Sequence, residues 1–216
     1  NFRKAVQYAI NKEDVNNAVN SGKATILSVD ICPMYGGYPD HIKGIDFDAA
    51  KAKEYLAKSN YKGEAYGITC TAGTAGETVA KVVQANLMAV GINAQVEAVD
   101  NITYESRGKE RNFDIRVVDE ASSLIDADSI ATQFTASRFN IHYPRQAEIY
   151  AMAEKGRSLQ GQERKNLYGQ IAQILLDEAY TVPLYNGINT VAYNDSLEGV
   201  QAHCLGYYNF RYWSWK

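Results

Sequence analysis

A basic excess is missing from this chain: 22 Lys and Arg against 25 Asp and Glu leave a formal net charge of −3. With no broad positive field and no zinc-finger, basic-zipper or RNA-binding signature, nucleic acid is not expected as a partner. Long apolar runs are missing as well, so no segment approaches the roughly 20 residues that a helix needs to cross a bilayer. Cysteine is scarce, and Cys32, Cys70 and Cys204 are odd in number and far apart. That spacing excludes a disulfide framework and a CxxC metal site, allows one bridge at most, and reads as free thiols. A leader is absent too: Phe2, Val6, Ala9 and Ile10 already form one helical stripe, so the chain reads as a processed piece of a longer protein.

The strings of common catalytic machinery are also absent. There is no GxSxG to present an activated serine. His41, His142 and His203 are single and widely spaced, with no HExxH, so no metal site is expected. Gly73-Thr74-Ala75-Gly76-Glu77-Thr78 precedes a helix, where free amides can bind an anion, but it lacks the GK[ST] ending of a phosphate loop. No cofactor is expected.

What is present is a foldable chain. With 216 residues, 46% hydrophobic and 22% charged, it can bury a core as one large domain or two small ones. Sixteen Tyr against six Phe suit half-buried strands and wet pockets, since each Tyr joins an apolar face to a hydroxyl. After the first stripe, Asn11-Lys12-Glu13-Asp14 predicts a short helical turn, and Ser21 to Gly44 an ordered, irregular loop. Asp46 or Asp48 is placed to cap a helix through Ala49 to Leu56. A strand is predicted from Ala65 to Thr71, then a helix whose Val79, Val83, Leu87 and Val90 share a face and which Gly91 stops. Ile92 to Ala98 alternates as a half-buried strand, and a further strand runs from Phe113 to Val118. A short helix is expected from Ser129, another from Gln146 to Lys155, and the strongest from Gln162 to Glu178, followed by a strand beginning at Val182-Pro183-Leu184-Tyr185. The alternation predicts an α/β or α+β lobe with a mixed sheet.

Polar residues gather after the strand Phe113 to Val118, where a loop at a strand end can converge on a ligand. The candidate ligand-binding residues are Arg116, Asp119, Glu120, Ser122, Ser123 and Asp126. Two carboxylate pairs, Asp119 with Glu120 and Asp126 with Asp128, could do acid–base work, but such pairs in turns commonly act as solvated caps.

Several strings, in order, resemble one family. They are Phe2-Arg3-Lys4-Ala5-Val6-Gln7-Tyr8-Ala9-Ile10-Asn11-Lys12-Glu13, Asp46-Phe47-Asp48-Ala49-Ala50-Lys51-Ala52-Lys53-Glu54-Tyr55-Leu56 and Val83-Gln84-Ala85-Asn86-Leu87-Met88-Ala89-Val90-Gly91-Ile92. Glu163-Arg164-Lys165-Asn166-Leu167-Tyr168, Val182-Pro183-Leu184-Tyr185 and Leu197-Glu198-Gly199-Val200 continue the match. Together they resemble the C-terminal lobe of the family-5 solute-binding proteins, the dipeptide, oligopeptide and nickel-chelate receptors of bacterial ABC importers. The resemblance implies a periplasmic-binding-protein type II fold. It implies a two-lobed receptor, in the periplasm or as a cell-surface lipoprotein, that closes on its ligand and docks on a membrane permease. It places an N-terminal lobe before Asn1, makes 1–189 the small lobe, and sends 190–216 back to the missing partner. Tyr207, Tyr208, Phe210, Tyr212, Trp213 and Trp215 would then be exposed and drive self-association.

In the family's peptide receptors an Asp after this strand pairs with the ligand's amino terminus; by ungapped count the equivalent here is Ser123, with Glu120 in place of an aromatic. Peptide remains the leading expected ligand, the usual amine anchor being either gone or moved to Glu120, Asp119 or Asp126. The alternatives are a sugar or a nickel chelate, the latter supported by His142 alone, a hydrolase lobe using Asp126 and Asp128, or a surface sensor or adhesin on the same fold.

Overall fold

The computed structural model describes residues 1–119, 125–130, 145–201, 203 and 207–216. Glu120, Ser122, Ser123, His142 and Cys204 lie outside the described residues.

Strand β2 (Tyr66–Thr71) is the centre of a three-stranded sheet, and its Gly67, Ile68, Thr69 and Cys70 are all buried. Strand β3 (Ala94–Val99) pairs with it in parallel from Tyr66↔Ala94 to Thr71↔Val99. On the other edge the short β4 (Ile115–Arg116) pairs in parallel at Ile68↔Ile115 and Thr69↔Arg116. Helix α4 (Ala75–Ala89) links β2 to β3, and α5 (Asn101–Glu110) links β3 to β4. The two faces of β2 differ by the period of two that a strand imposes. Ile68 and Cys70 join Val79, Ala80, Val83 and Leu87 of α4 in an apolar core. Thr69 looks the other way, donating its hydroxyl to Glu97 Oε2 at 3.2 Å, and Arg107 of α5 closes on the same oxygen at 2.6 Å.

Helices α1 (Phe2–Ala9), α2 (Lys12–Asn20) and α3 (Ala49–Ala57) complete this core through Ala5, Ala9, Val15 and Ala52. Phe2 stacks on Tyr66 with ring centroids 4.4 Å apart, and Tyr8 on Tyr55 at 5.5 Å, so several of the abundant tyrosines serve packing. The caps are local and legible: the Asp48 carboxylate accepts from Lys51 N at 2.9 Å, and Asp100 accepts from Ile102 N and Thr103 N. Gly91, at φ 95°, follows α4 in the left-handed region.

A second core forms where α6 (Gln146–Arg157) and α7 (Gly161–Glu178) pack with Val29, Ile31, Ala127 and Ile130. The two cores are joined by buried Gln7, whose Nε2 donates to Leu176 O at 3.1 Å, and by Arg3, whose guanidinium lies 4.1 Å over the Tyr180 ring. Strands β1 (Thr25–Ile26) and β5 (Tyr185–Asn186) form an antiparallel ribbon. Strand β6 (Leu197–Glu198) pairs antiparallel with β7 (Ser214–Trp215), with a 3₁₀ turn at Phe210–Tyr212 between them. Parallel and antiparallel pairing therefore both occur, but in separate sheets. Cys32 and Cys70 are buried free thiols, and none of the described helices is long and apolar enough to cross a membrane.

Three elements differ from the sequence expectation. Helix α5 was not foreseen, because its Ile102 points to solvent, 83% exposed, and leaves no apolar stripe to read. The strand expected over Phe113 to Val118 narrows to Ile115–Arg116, since β2 offers β4 only the pairing at Ile68 and Thr69. Strand β1 lies inside the segment read as irregular; two residues carry no periodicity, and only pairing with β5 defines it.

Leu87, fully buried beneath β2, and Met88, 59% exposed beside it, test this packing directly. Leu87→Ala is expected to destabilise the fold by about 2–5 kcal/mol, and Met88→Ala to change it by no more than about 0.5 kcal/mol, in urea denaturation.

Candidate ligand-binding site at the carboxyl edge of the sheet

The strand order β3-β2-β4 means that the chain leaves β2 toward one edge and later returns to the other. Connections from the carboxyl ends of β2 and β4 therefore diverge, and in open parallel sheets a ligand crevice forms at such a switch point. On the β2 side, the Gly-rich turn satisfies itself. Gly73 N donates to Glu77 Oε2 at 2.8 Å, and Thr74 Oγ1 donates to Thr71 O at 2.8 Å. An anion there would meet the Glu77 carboxylate, which already occupies the Gly73 amide.

On the β4 side, Val117 N donates to Thr69 O at 3.0 Å, and the Tyr104 hydroxyl donates to Val117 O at 2.6 Å. These bonds carry the backbone to Val118 and Asp119, both exposed at the carboxyl edge. Asp119 lies within electrostatic reach of Tyr185 on β5: burial, and then the Asp119 charge, push the Tyr185 hydroxyl up from its ordinary pKa. Tyr185 is half-buried on the ribbon, and its hydroxyl also hydrogen-bonds the Asn20 side chain. An acidic group beside a phenol can receive an ammonium group or a polar hydroxyl and stack an apolar side chain.

Arg116 stands three residues before Asp119 and faces inward. Its side chain is 5% exposed, its guanidinium lies 3.9 Å over the Tyr104 ring, and Nη2 reaches Tyr104 O at 3.4 Å. Gly108 makes this possible, since a Cβ there would come within 2.5 Å of the guanidinium. Nε of Arg116 finds no partner among the described residues. Its charge therefore supports α5, and the Tyr104 hydroxyl is held above its ordinary pKa chiefly by burial.

Asp126 is set apart from Asp119 by its partners. It forms an isolated parallel bridge with Gly36, and its carboxylate is ion-paired with Arg164 Nη2. Asp128 accepts from the Tyr168 hydroxyl at 2.8 Å and from Arg157 Nε at 3.0 Å. Both carboxylates are thus held by α6 and α7. Sequence reasoning missed Tyr185, Arg157, Arg164 and Tyr168, because their partners lie far away along the chain; Arg164 and Tyr168 at i and i+4 on one helix were the one available hint.

The Asp119–Tyr185 proximity has a measurable consequence. Asp119→Asn removes a negative charge near the phenol, so the Tyr185 titration is expected to move down. The check is ultraviolet-monitored alkaline titration, with Tyr185→Phe identifying the transition; no movement would separate the two side chains.

Residues 1–140 match the family described as bacterial extracellular solute-binding proteins, family 5 middle. Heme-binding protein A of Haemophilus influenzae is 21% identical, over 95% of this chain and 40% of its own length. Di/tripeptide-binding protein 3 of Pseudomonas aeruginosa is 24% identical, over 84% of this chain and 36% of its own. This chain therefore spans about two fifths of the length of these curated relatives. The solved structure of HbpA2 from Haemophilus parasuis superposes over 100% of this chain and 45% of that one, with a TM-score of 0.82 at 23% identity, a likeness of fold. With the match extending over most of its length, the chain belongs to the bacterial extracellular solute-binding proteins of family 5, as a partial lobe of a type II periplasmic-binding fold.

Proposed function

We propose that this chain is the ligand-capturing lobe of an extracytoplasmic receptor that delivers a small polar solute to an ABC permease, and that the solute is a peptide. The observation that carries the proposal is the exposed Asp119 carboxylate at the carboxyl end of β4, whose charge reaches Tyr185. A free amino terminus would pair with Asp119, and Glu120, Ser122 and Ser123, next along the chain, would complete the polar contacts. A single lobe can offer only one wall of such a site, so the second lobe supplies the rest and closure excludes water. The fit with a relative named for di- and tripeptides supports this ligand class. No covalent step is assigned. Asp126 and Asp128, on which hydrolysis would depend, are engaged by Arg164, Arg157 and Tyr168.

A second ligand class is favoured by one finding, the likeness to a protein named for heme over 95% of the chain. Binding measurements on the full-length protein separate the two. Trialanine titrated by calorimetry is expected to bind, and Asp119→Asn to weaken it by about tenfold or more, as loss of a charge-assisted pair predicts. Hemin binding that is unaffected by Asp119→Asn, with no heat from trialanine, would overturn the peptide assignment.

Residues 1–189 form the lobe proper in this proposal, and 190–216 return to the partner lobe. Tyr207, Phe210, Tyr212 and Trp215 are exposed on that segment. Contact with the partner lobe would cover them, and in its absence they would associate with one another. Sedimentation velocity of the 216-residue chain is expected to show a concentration-dependent dimer that Phe210→Ser/Trp215→Ser abolishes. A monomer at all concentrations would refute the self-association.

A further inference from the structure

We infer that Tyr104 of α5 is a positioning residue for Asp119: its hydroxyl, steadied by Arg116, fixes the direction in which the chain leaves β4. The inference rests on the reading of Asp119 as a ligand-facing carboxylate. It also gives buried Arg116 and the polar helix α5 a task in the site.

Strand β4 alone gives Asp119 little support. It pairs with β2 only at Ile68↔Ile115 and Thr69↔Arg116, which is shorter than an ordinary strand. Val117 N still donates to Thr69 O at 3.0 Å, but further along β2 the next amide, Ala72 N, turns the other way to Val99 O at 2.8 Å. Val118 and Asp119 lie beyond this last bond to Thr69 and are exposed. What holds the exit is a side chain. The Tyr104 hydroxyl donates to Val117 O at 2.6 Å. That oxygen belongs to the peptide joining Val117 to Val118, and because a peptide unit is planar, fixing the oxygen also fixes the Val118 amide and Cα. Asp119 is the next residue after that fixed plane.

Tyr104 is itself well held. It is 7% exposed, and with Gly108 it makes up the buried part of α5. The Arg116 guanidinium lies 3.9 Å over its ring, and Nη2 donates to Tyr104 O at 3.4 Å, so both ends of the residue are gripped by β4. Arg107 attaches the same helix to the opposite edge of the sheet, through Glu97 of β3. Burial keeps the Tyr104 hydroxyl above its ordinary pKa, so it stays protonated and remains a donor at physiological pH. The Asp119 charge reaches Tyr104 as well as Tyr185, which puts the carboxylate within electrostatic range of both phenols.

The role can be read without a ligand. In full-length protein carrying 3-fluorotyrosine at position 185 alone, fluorine NMR follows the Tyr185 titration, and Asp119→Asn is expected to move it down. Tyr104→Phe keeps the ring beneath Arg116 and removes only the hydroxyl; in that background Asp119→Asn is expected to move the titration by less than about half as much, the mark of coupled residues. Arg116→Met, which leaves the hydroxyl and removes the charge over the ring, is expected to reduce the shift by a smaller amount. Trialanine affinity, by calorimetry, is expected to fall about tenfold in Tyr104→Phe, and no further when Arg116→Met is added. Arg107→Gln, which loosens α5 at β3, is expected to leave both the shift and the affinity unchanged.

An Asp119→Asn shift of equal size with and without the Tyr104 hydroxyl overturns the positioning role. Arg107→Gln reducing the shift as much as Tyr104→Phe overturns it as well, since the effect would then belong to the whole helix. Should trialanine fail to bind even the unaltered protein, the peptide reading falls, and the fluorine titration still decides the role of Tyr104.

Discussion

Strand β2 is paired along all of one edge and part of the other, and its middle four residues are buried, so its backbone groups find partners in β3, in β4 and, at Gly67, in the Asp114 carboxylate. That demand sets the rest of the lobe. The apolar face at Ile68 and Cys70 fixes where α4 must lie, because only a continuous cover of Val79, Val83 and Leu87 keeps water away. The opposite face, at Thr69, carries a buried hydroxyl and is covered by a polar helix that brings Arg107 to Glu97. A sheet with one greasy and one hydrogen-bonded face has a single register, since a shift of one residue would exchange them.

The same strand sets the switch point of the sheet, with β3 reached on one edge and β4 on the other. Several charges elsewhere among the described residues have partners: Arg116 has Tyr104 and Glu105, Asp126 has Arg164, and Asp128 has Tyr168 and Arg157. Asp119 differs because it is exposed at the open edge, near a tyrosine that comes from a separate ribbon.

Legibility in the sequence followed the range of each interaction. The cap at Asp48, the stripe of α4 and the glycine after it act within a few residues, and the sequence reports them directly. The acidic stretch after β4 was legible as a candidate site because residues there are adjacent in the chain. Its sorting into an exposed Asp119 and an ion-paired Asp126 was not, since Arg164 lies 38 residues from Asp126 and nothing local announces the pairing. Helix α5 escaped for a related reason: its stability comes from a cap at Asp100 and from Tyr104 and Arg107 reaching the sheet, with no apolar periodicity to betray it.

The sequence alone determined the family and the α/β character of the lobe, because ordered helix and strand strings survive as local patterns even at about one-fifth identity to relatives. Tertiary structure alone decided which carboxylates are ion-paired, which arginine is buried against Tyr104, and which tyrosine feels the Asp119 charge. Those outcomes depend on side chains that meet across tens of residues, where charge pairing and burial act through space and leave no spacing in the chain to read.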